Sequence, residues 1–251
     1  MRVAVLSDIH GNAWALDAVL AEVDRAEVAH VLNLGDCFYG PLAPGATYER
    51  LRSFEWPTVR GNQDRVLIDG TAEGPTGRFT LREIGEEGVA WLAESTAPRV
   101  QLRGILACHG DLEHDDVPLI ERIEPAGVRS ATGAELTESL AGAAPDTEVV
   151  LCGHSHQPAM LQLPDGRLVV NPGSVGFPAY RDEEPHPHGM ESGTPHARWA
   201  VLERVEAGWR VELRATPYDV EPAVAAARAN GRPDWAGWIA TGRAASPHRD
   251  P

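Results

Sequence analysis

Residues 1–12 read MRVAVLSDIHGN, and this stretch decides the fold. The apolar run Val3–Leu6 gives way to Ser7. A carboxylate, Asp8, and an imidazole, His10, follow two positions apart, before Gly11-Asn12. A short apolar run bounded by turn residues predicts a buried strand. Leu16, Val19, Leu20 and Val23 then fall at helical spacing, which predicts a helix from about Asn12 to Ala26. A strand leading directly into a helix predicts an α/β layered fold, in which ligands bind at the C-terminal ends of the strands. Taken alone, Asp8, His10 and Asn12 also read as ordinary strand-end and helix-capping residues. The pair therefore needs partners from elsewhere in the chain.

The pattern recurs. Val31–Leu34 ends in Gly35-Asp36 and Pro57–Arg60 ends in Gly61-Asn62, with helical patterning between them around Tyr48, Leu51 and Phe54. A helix is predicted over Thr80–Ala93, paired short strands over Arg99–Leu102 and Gly104–Cys108, a helix near Gly133–Ala141 and a strand over Glu148–Leu151. The second half changes texture. Met160–Leu163 and Leu168–Val170 flank Pro164-Asp165-Gly166, and Arg198–Val205 and Trp209–Leu213 flank Glu206-Ala207-Gly208. Both read as hairpins, so two packed sheets are expected. A closing helix is capped by Asp219 and stopped by Asn230-Gly231. One domain is expected over residues 1–242. Residues 178–196, rich in Pro, His and acid, read as an inserted loop, and residues 243–251 as a mobile tail.

The chain has 251 residues, enough for a well-filled core. Its 22 basic and 37 acidic residues give a formal charge of −15, which argues against a general nucleic-acid or anionic-membrane surface and is compatible with a cation site. No apolar stretch approaches the roughly 18 residues needed to span a bilayer, and no secretory leader is visible. Three cysteines, an odd number, form no disulfide framework, so a cytoplasmic setting is expected. A monomer and a homodimer are both compatible with the sequence.

The polar residues beyond the apolar runs form a constellation: Asp8 and His10, Asp36, Asn62, His109, and finally His154 and His156. Converging on one sheet edge, these oxygen and nitrogen donors suit a pair of divalent transition metals such as manganese, iron, zinc or nickel. Asp36 is the natural bridging anion. Gly35, Gly61, Gly110 and Gly153 each stand beside a candidate ligand, where backbone must turn sharply or approach closely.

The blocks SDIHGN, LGDCFYG, RGNQD, CHG, GHSH and NPGSVG, in this order over residues 1–176, resemble the calcineurin-like metallophosphoesterases, in particular their small bacterial phosphodiesterase-like branch. The resemblance implies a sandwich of two mixed β-sheets flanked by helices, in four αββα layers. It implies one metal on Asp8, His10, Asp36 and His156, and a second on Asp36, Asn62, His109 and His154, with a water or hydroxide bridging them. It further implies a phosphodiesterase or phosphatase that cleaves phosphodiesters or small phosphorylated metabolites by in-line attack of that hydroxide.

One position departs. Many relatives read GNH followed by an acid, and that His is commonly assigned to protonate the leaving group; here Gln63 stands in its place. A carboxamide donates a hydrogen bond but supplies no proton at neutral pH. Asn62, Gln63 and Asp64 thus become the catalytic candidates. Without the His to orient, Asp64 contacts Arg60 or Arg65, or caps the following turn. The departure also leaves open a non-catalytic metal-binding scaffold or regulator.

Other residues carry competing readings. Asn12, Gly173, Ser174, Arg181 and Arg198 are substrate-contact candidates, with surface salt bridges an equal reading for the two arginines. Cys37, Cys108 and Cys152 lie near candidate ligands but read as small buried groups at strand ends. His186, His188 and His196 suggest metal capture, yet a solvated loop at the cleft mouth fits them better. Trp235 and Trp238 read either as a dimer anchor or as a packed helix end.

Overall fold

The computed structural model describes residues 1–244. The first half runs β1 (Arg2–Leu6), α1 (Ala13–Val23), β2 (His30–Asn33), α2 (Pro44–Leu51), β3 (Thr58–Val59), α3 (Asn62–Ile68), α4 (Gly74–Ser95), β4 (Thr96–Ala97), β5 (Val100–Leu102) and β6 (Ile105–Ala107). There follow β7 (Glu121–Glu124), β8 (Gly127–Ser130), α5 (Gly133–Ser139), β9 (Val149–Leu151), β10 (Ala159–Gln162) and β11 (Leu168–Asn171). The chain closes with β12 (Ala179–Asp182), β13 (His188–Glu191), β14 (Ala197–Val205), β15 (Gly208–Thr216), α6 (Glu221–Ala229) and α7 (Pro233–Thr241).

Two mixed sheets form the centre. One has the order β15-β14-β1-β2-β3-β4 and the other β10-β11-β9-β6-β5. β1, β2, β3 and β4 are mutually parallel, as are β6, β9 and β11, and antiparallel strands complete each sheet. Strand periodicity explains the layering, because alternate side chains point to opposite faces. Val3 and Val5 of β1 meet Ile105 and Ala107 of β6 and Val149 and Leu151 of β9 between the sheets. Ala4 and Leu6 turn the other way, onto Leu16, Val19 and Val23 of α1. Leu106 and Val150 likewise turn outward, onto Leu136 and Leu140 around α5. Strands covered on both faces read as continuous apolar runs, as β1 does, and each fully buried Val or Leu contributes about 1.5–3 kcal/mol. The result is the four-layer αββα sandwich.

Several segments differ from the sequence-based expectation. Residues 178–196 are not a plain loop: β12 and β13 pair antiparallel within them, Ala179 opposite Glu191 and Asp182 opposite His188. His188 and Met190 are buried while Gly189 and Glu191 are exposed, so a period of two lies hidden among the prolines. A second small hairpin, β7–β8, arises where no element was expected. Asp219 accepts a hydrogen bond from the Glu221 amide at 3.1 Å, but Val220 occupies the cap position of α6. Beyond Asn230-Gly231 the chain forms another helix, α7, started by Pro233. The expected tail begins anchored: the Ala244 amide donates to Glu191 Oε1 at 2.8 Å, and residues 245–251 lie outside the described residues. No helix among the described residues is long and apolar enough to cross a membrane.

Candidate metal centre

The parallel strands of both sheets deliver their C-terminal ends to one edge. Asp8 and His10 follow β1, Asp36 follows β2, Asn62 opens α3 after β3, His109 follows β6, and His154 and His156 follow β9. Five of these seven residues have left-handed backbone: Asp8 (φ 54°), His10 (50°), Asp36 (54°), His154 (64°) and His156 (60°). Apart from glycines, only Glu27 and Arg103 share that conformation among the described residues. It costs of order 1–3 kcal/mol each for a residue with a side chain and persists where surrounding structure enforces it. Here hydrogen bonds between segments do so. The Asp8 amide donates to Gly35 C=O at 2.9 Å, His10 to Asp36 C=O at 2.9 Å and Gly176 to Asp8 C=O at 3.0 Å.

Three imidazoles are locked the same way. Nδ1 of His10 lies 2.9 Å from Tyr39 C=O, Nδ1 of His109 2.8 Å from Leu34 C=O, and Nδ1 of His156 2.7 Å from Phe177 C=O. A carbonyl only accepts, so Nδ1 carries the proton and Nε2 points its lone pair inward. The Nε2 atoms of His10 and His156 are 3.2 Å apart, and that of His109 is 3.2 Å from Asn62 Oδ1.

Each carboxylate has one anchored and one inward oxygen. Asp8 Oδ2 accepts from Ser7 Oγ at 2.6 Å, while Oδ1 lies 3.3 Å from His156 Nε2 and 3.9 Å from His109 Nε2. Asp36 Oδ1 accepts from the Gln63 amide at 2.9 Å, while Oδ2 lies 3.5 Å from His109 Nε2 and 3.6 Å from His10 Nε2. Asp8 Oδ1 is buried without a hydrogen-bond partner. Lone pairs thus converge from both sheets with no fixed donor among them. This arrangement fits divalent cations, which need several nitrogen and oxygen donors and tolerate no competing N–H. Two groups bring three ligating atoms within 4.8 Å of one another: Asp8, His10 and His156, and Asp8, Asp36 and His109. Asp8 therefore shares the central place expected for Asp36 alone.

Protonation follows the same geometry. Burial opposes ionisation of Asp8, but the neighbouring His156, His109 and His10 hold its carboxyl below the usual range. Burial likewise works against ionised Asp36, and His109 and His10 together outweigh it. Burial would neutralise His109, yet the charges of Asp36 and Asp8 push it up to about 10, so without a cation a proton occupies its Nε2 lone pair at neutral pH. His154, half-buried beside His109, falls to about 4 through loss of hydration and the His109 charge. Cations and protons compete for these lone pairs.

The chain matches the family model of the calcineurin-like phosphoesterase superfamily domain over residues 1–188.

The chain belongs to the calcineurin-like phosphoesterase superfamily.

A metallophosphoesterase from Sphaerobacter thermophilus has a similar fold, with a TM-score of 0.73 at 23% identity, covering 97% of this chain and 100% of that one. A hypothetical protein from Pyrococcus horikoshii OT3 also scores 0.73, at 19% identity, with 97% and 99% covered. An uncharacterized protein from Methanocaldococcus jannaschii is 25% identical over 259 residues, 94% of this chain and 95% of the relative.

Within this calcineurin-like frame the remaining candidates separate. His154 lies outside both three-atom groups, its ring centroid 5.4 Å from that of His109, and it lines the cleft with Asn62 and Gln63. Asp64 does not line the cleft. Fully buried, it accepts from the amides of Asp36 (2.8 Å), Cys37 (2.9 Å) and Gly61 (3.0 Å), so it clamps the Asp36 turn to the start of α3. Burial and the Asp36 charge push it up to about 7 against those amides. Arg65 instead pairs with Asp115, and Arg60 reaches Thr96.

Asn12 is also fully buried. It caps α1 through the Ala15 amide (3.1 Å) and donates to Gly176 C=O (2.9 Å), which corrects its reading as a substrate contact. Gly173 turns at φ 80°, where a Cβ would press on Arg198 Cβ. Arg198 reaches Thr194 Oγ1 at 2.8 Å and does not line the cleft. Ser174 Oγ donates to Asp8 C=O at 2.7 Å and accepts from the Phe177 amide at 2.7 Å. Ser174→Ala is expected to destabilise the protein by about 1–3 kcal/mol, the cost of leaving a buried partner unsatisfied; urea denaturation measures it.

Arg181 does line the cleft. The cysteines are buried and unpaired. His186, His188 and His196 enter neither three-atom group, and His188 Nδ1 is 2.8 Å from His186 C=O. Sequence reasoning missed the aromatic wall. Tyr39, Phe177, Tyr180, Trp235 and Trp238 line the cleft beside Arg232. Trp235 stacks on Phe177 at 3.6 Å and meets His10 edge-on at 5.9 Å, so it is packed support rather than surface. The signal was the spacing Arg232, Trp235, Trp238, which places three side chains on neighbouring helical positions.

Proposed function

We propose that the chain is a phosphohydrolase that uses two divalent transition-metal ions to cleave phosphodiesters or small phosphorylated metabolites in the cytoplasm. The observation that carries this reading is the orphaned, buried Oδ1 of Asp8, set among inward-facing Nε2 atoms whose Nδ1 atoms are tied to backbone carbonyls. When bound, such ions lower the pKa of water and offset charge on phosphoryl oxygens. The rest falls to the chain. Asp8, Asp36 and the imidazoles hold fixed positions, so little reorganisation accompanies the reaction. Arg181 makes one long hydrogen bond among the described residues, 3.4 Å to Ala244 C=O, and keeps donors for a phosphoryl oxygen. Gln63 offers a hydrogen bond to the leaving oxygen and no proton. In hydrolysis the oxygen of water joins phosphorus, the P–O bond to the alcohol breaks, and the proton ends on the alcohol.

Bis(p-nitrophenyl) phosphate and p-nitrophenyl phosphate, assayed with manganese or nickel, test the reading. Turnover that rises with metal and disappears with EDTA supports it. No metal-dependent turnover on any phosphate ester favours the second reading, a metal-binding scaffold, which rests on Gln63 in the cleft. Gln63→His is expected to raise turnover on alkyl esters more than on aryl esters, by about 10-fold or more, because general acid catalysis is typically worth about 10²–10⁴-fold. Equal effects on both ester classes would remove Gln63 from the leaving-group role.

A further inference from the structure

Next to the metal centre lies a cavity of about 540 Å³ that shares Asn62, His154, Tyr180 and Asp182 with the cleft. Its remaining wall is acidic: Asp116, Glu121 and Glu184 join Asp182. Arg122 and His188 also line it, and Arg122 offsets the Glu121 charge only in part. Arg122 turns Nη1 back to the carbonyls of Pro118, Leu119 and Glu121 and Nη2 to Ser139 Oγ. Asp116 has a distant partner, Arg65, at 3.7 Å.

Glu121 stands apart from the other three acids. It is only 7% exposed, and its Oε2 has no hydrogen-bond partner. An ionised carboxylate buried without a counter-charge is costly, so such a group implies a positive partner. Burial pushes its carboxyl up to about 7, against a hydrogen bond from Ser155 and the charge of Arg122. The rim is apolar at Pro118, Pro185 and Val117, the last 41% exposed. Tyr180 offers an aromatic ring to the same space. Carboxylates, a ring and apolar contacts together suit an alkylated ammonium group better than a metal ion.

We propose that this cavity is a subsite for a cationic organic group, an ammonium or quaternary ammonium carried on the alcohol of the phosphate ester, with Glu121 as its anchor. The inference deepens the phosphohydrolase reading and rests on it: the metal centre takes the phosphate and the acidic cavity takes the positive end of the same molecule. Alcohols bearing a carboxylate or a second phosphate are turned away by like charge.

Two diesters of the same shape test this. p-Nitrophenyl phosphorylcholine carries a trimethylammonium group; p-nitrophenyl 3,3-dimethylbutyl phosphate carries a neutral tert-butyl group instead. The metal-loaded protein is expected to favour the choline ester in kcat/KM by about tenfold, equivalent to about 1.4 kcal/mol. The preference is expected to shrink at high salt, and to fall toward parity in Glu121→Gln and in Asp182→Asn. A binding measurement independent of turnover accompanies it: tetramethylammonium, titrated into the protein and followed by saturation-transfer NMR, binds the wild type and not Glu121→Gln. A wild-type ratio near one, or no tetramethylammonium binding to the wild type, overturns the subsite. Absence of turnover on both esters and on bis(p-nitrophenyl) phosphate indicts the phosphohydrolase reading instead, and the tetramethylammonium titration then decides the subsite alone.

Discussion

Asp36→Asn is expected to lower metal-dependent turnover by about 10³-fold or more while the fold survives. The substitution keeps the shape and the Oδ1 acceptor that receives the Gln63 amide. It replaces Oδ2, which lies 3.5 Å from His109 Nε2 and 3.6 Å from His10 Nε2, with an amide nitrogen. That nitrogen donates to the very lone pairs that otherwise face inward, and the site loses a negative charge. A bound metal supplies several kcal/mol of charge stabilisation in reactions of this class, and each 1.36 kcal/mol is tenfold in rate. The metal-free variant is expected to unfold at a urea concentration close to that of the metal-free wild type. Metal content by mass spectrometry and kcat/KM on an aryl diester check the first part. Full metal content with undiminished turnover would remove Asp36 from the centre.

Gly61→Ala is expected to cost about 3 kcal/mol of stability together with a tenfold or greater loss of metal affinity. Gly61 has extended backbone (φ −81°, ψ 167°) that any residue adopts, so space alone decides. An added Cβ would strike Asp36 Oδ1 and come 2.6 Å from the Asp36 amide nitrogen. Gly35 packs against Gly61 from the other side, so the strand ends cannot separate without moving the Asp36 turn. Overpacking of this kind typically costs about 1–3 kcal/mol and sometimes more. The clash adds a displaced ligand to that cost. Gly142→Ala, whose Cβ would meet nothing within 4 Å, is the matched control and is expected to change stability little. Urea denaturation and calorimetric metal titration separate the two effects; a Gly61 variant as stable and as avid as the control would refute the close-packing account.

The layering was legible because its cause is local. β1 alternates Val3 and Val5 against Ala4 and Leu6, and both faces are covered, so the strand announces itself as an apolar run. The candidate ligands were legible because strand ends in such a fold carry them. Buried polar residues that serve distant segments were not. Asn12 meets Gly176, Ser174 meets Asp8 and Asp64 holds the amide of Asp36, across separations of 164, 166 and 28 residues. Nothing local distinguishes such a side chain from one aimed at a substrate. α7 was hidden by its length, nine residues, and by the stop signal Asn230-Gly231 just before it. The β12–β13 hairpin was hidden because proline and acid mask its period of two.

The order of strands has a consequence for biosynthesis. β9, which precedes His154 and His156, sits in the middle of its sheet between β6 and β11, and β14 pairs along β1 from the far end of the chain. A nascent polypeptide that has left the ribosome only as far as residue 150 holds Asp8, Asp36 and His109 but lacks both later histidines and the strand that covers β1. The Asp8, His10 and His156 group is therefore completed only once residue 156 emerges, whereas the three residues of the Asp8, Asp36 and His109 group are all present much earlier.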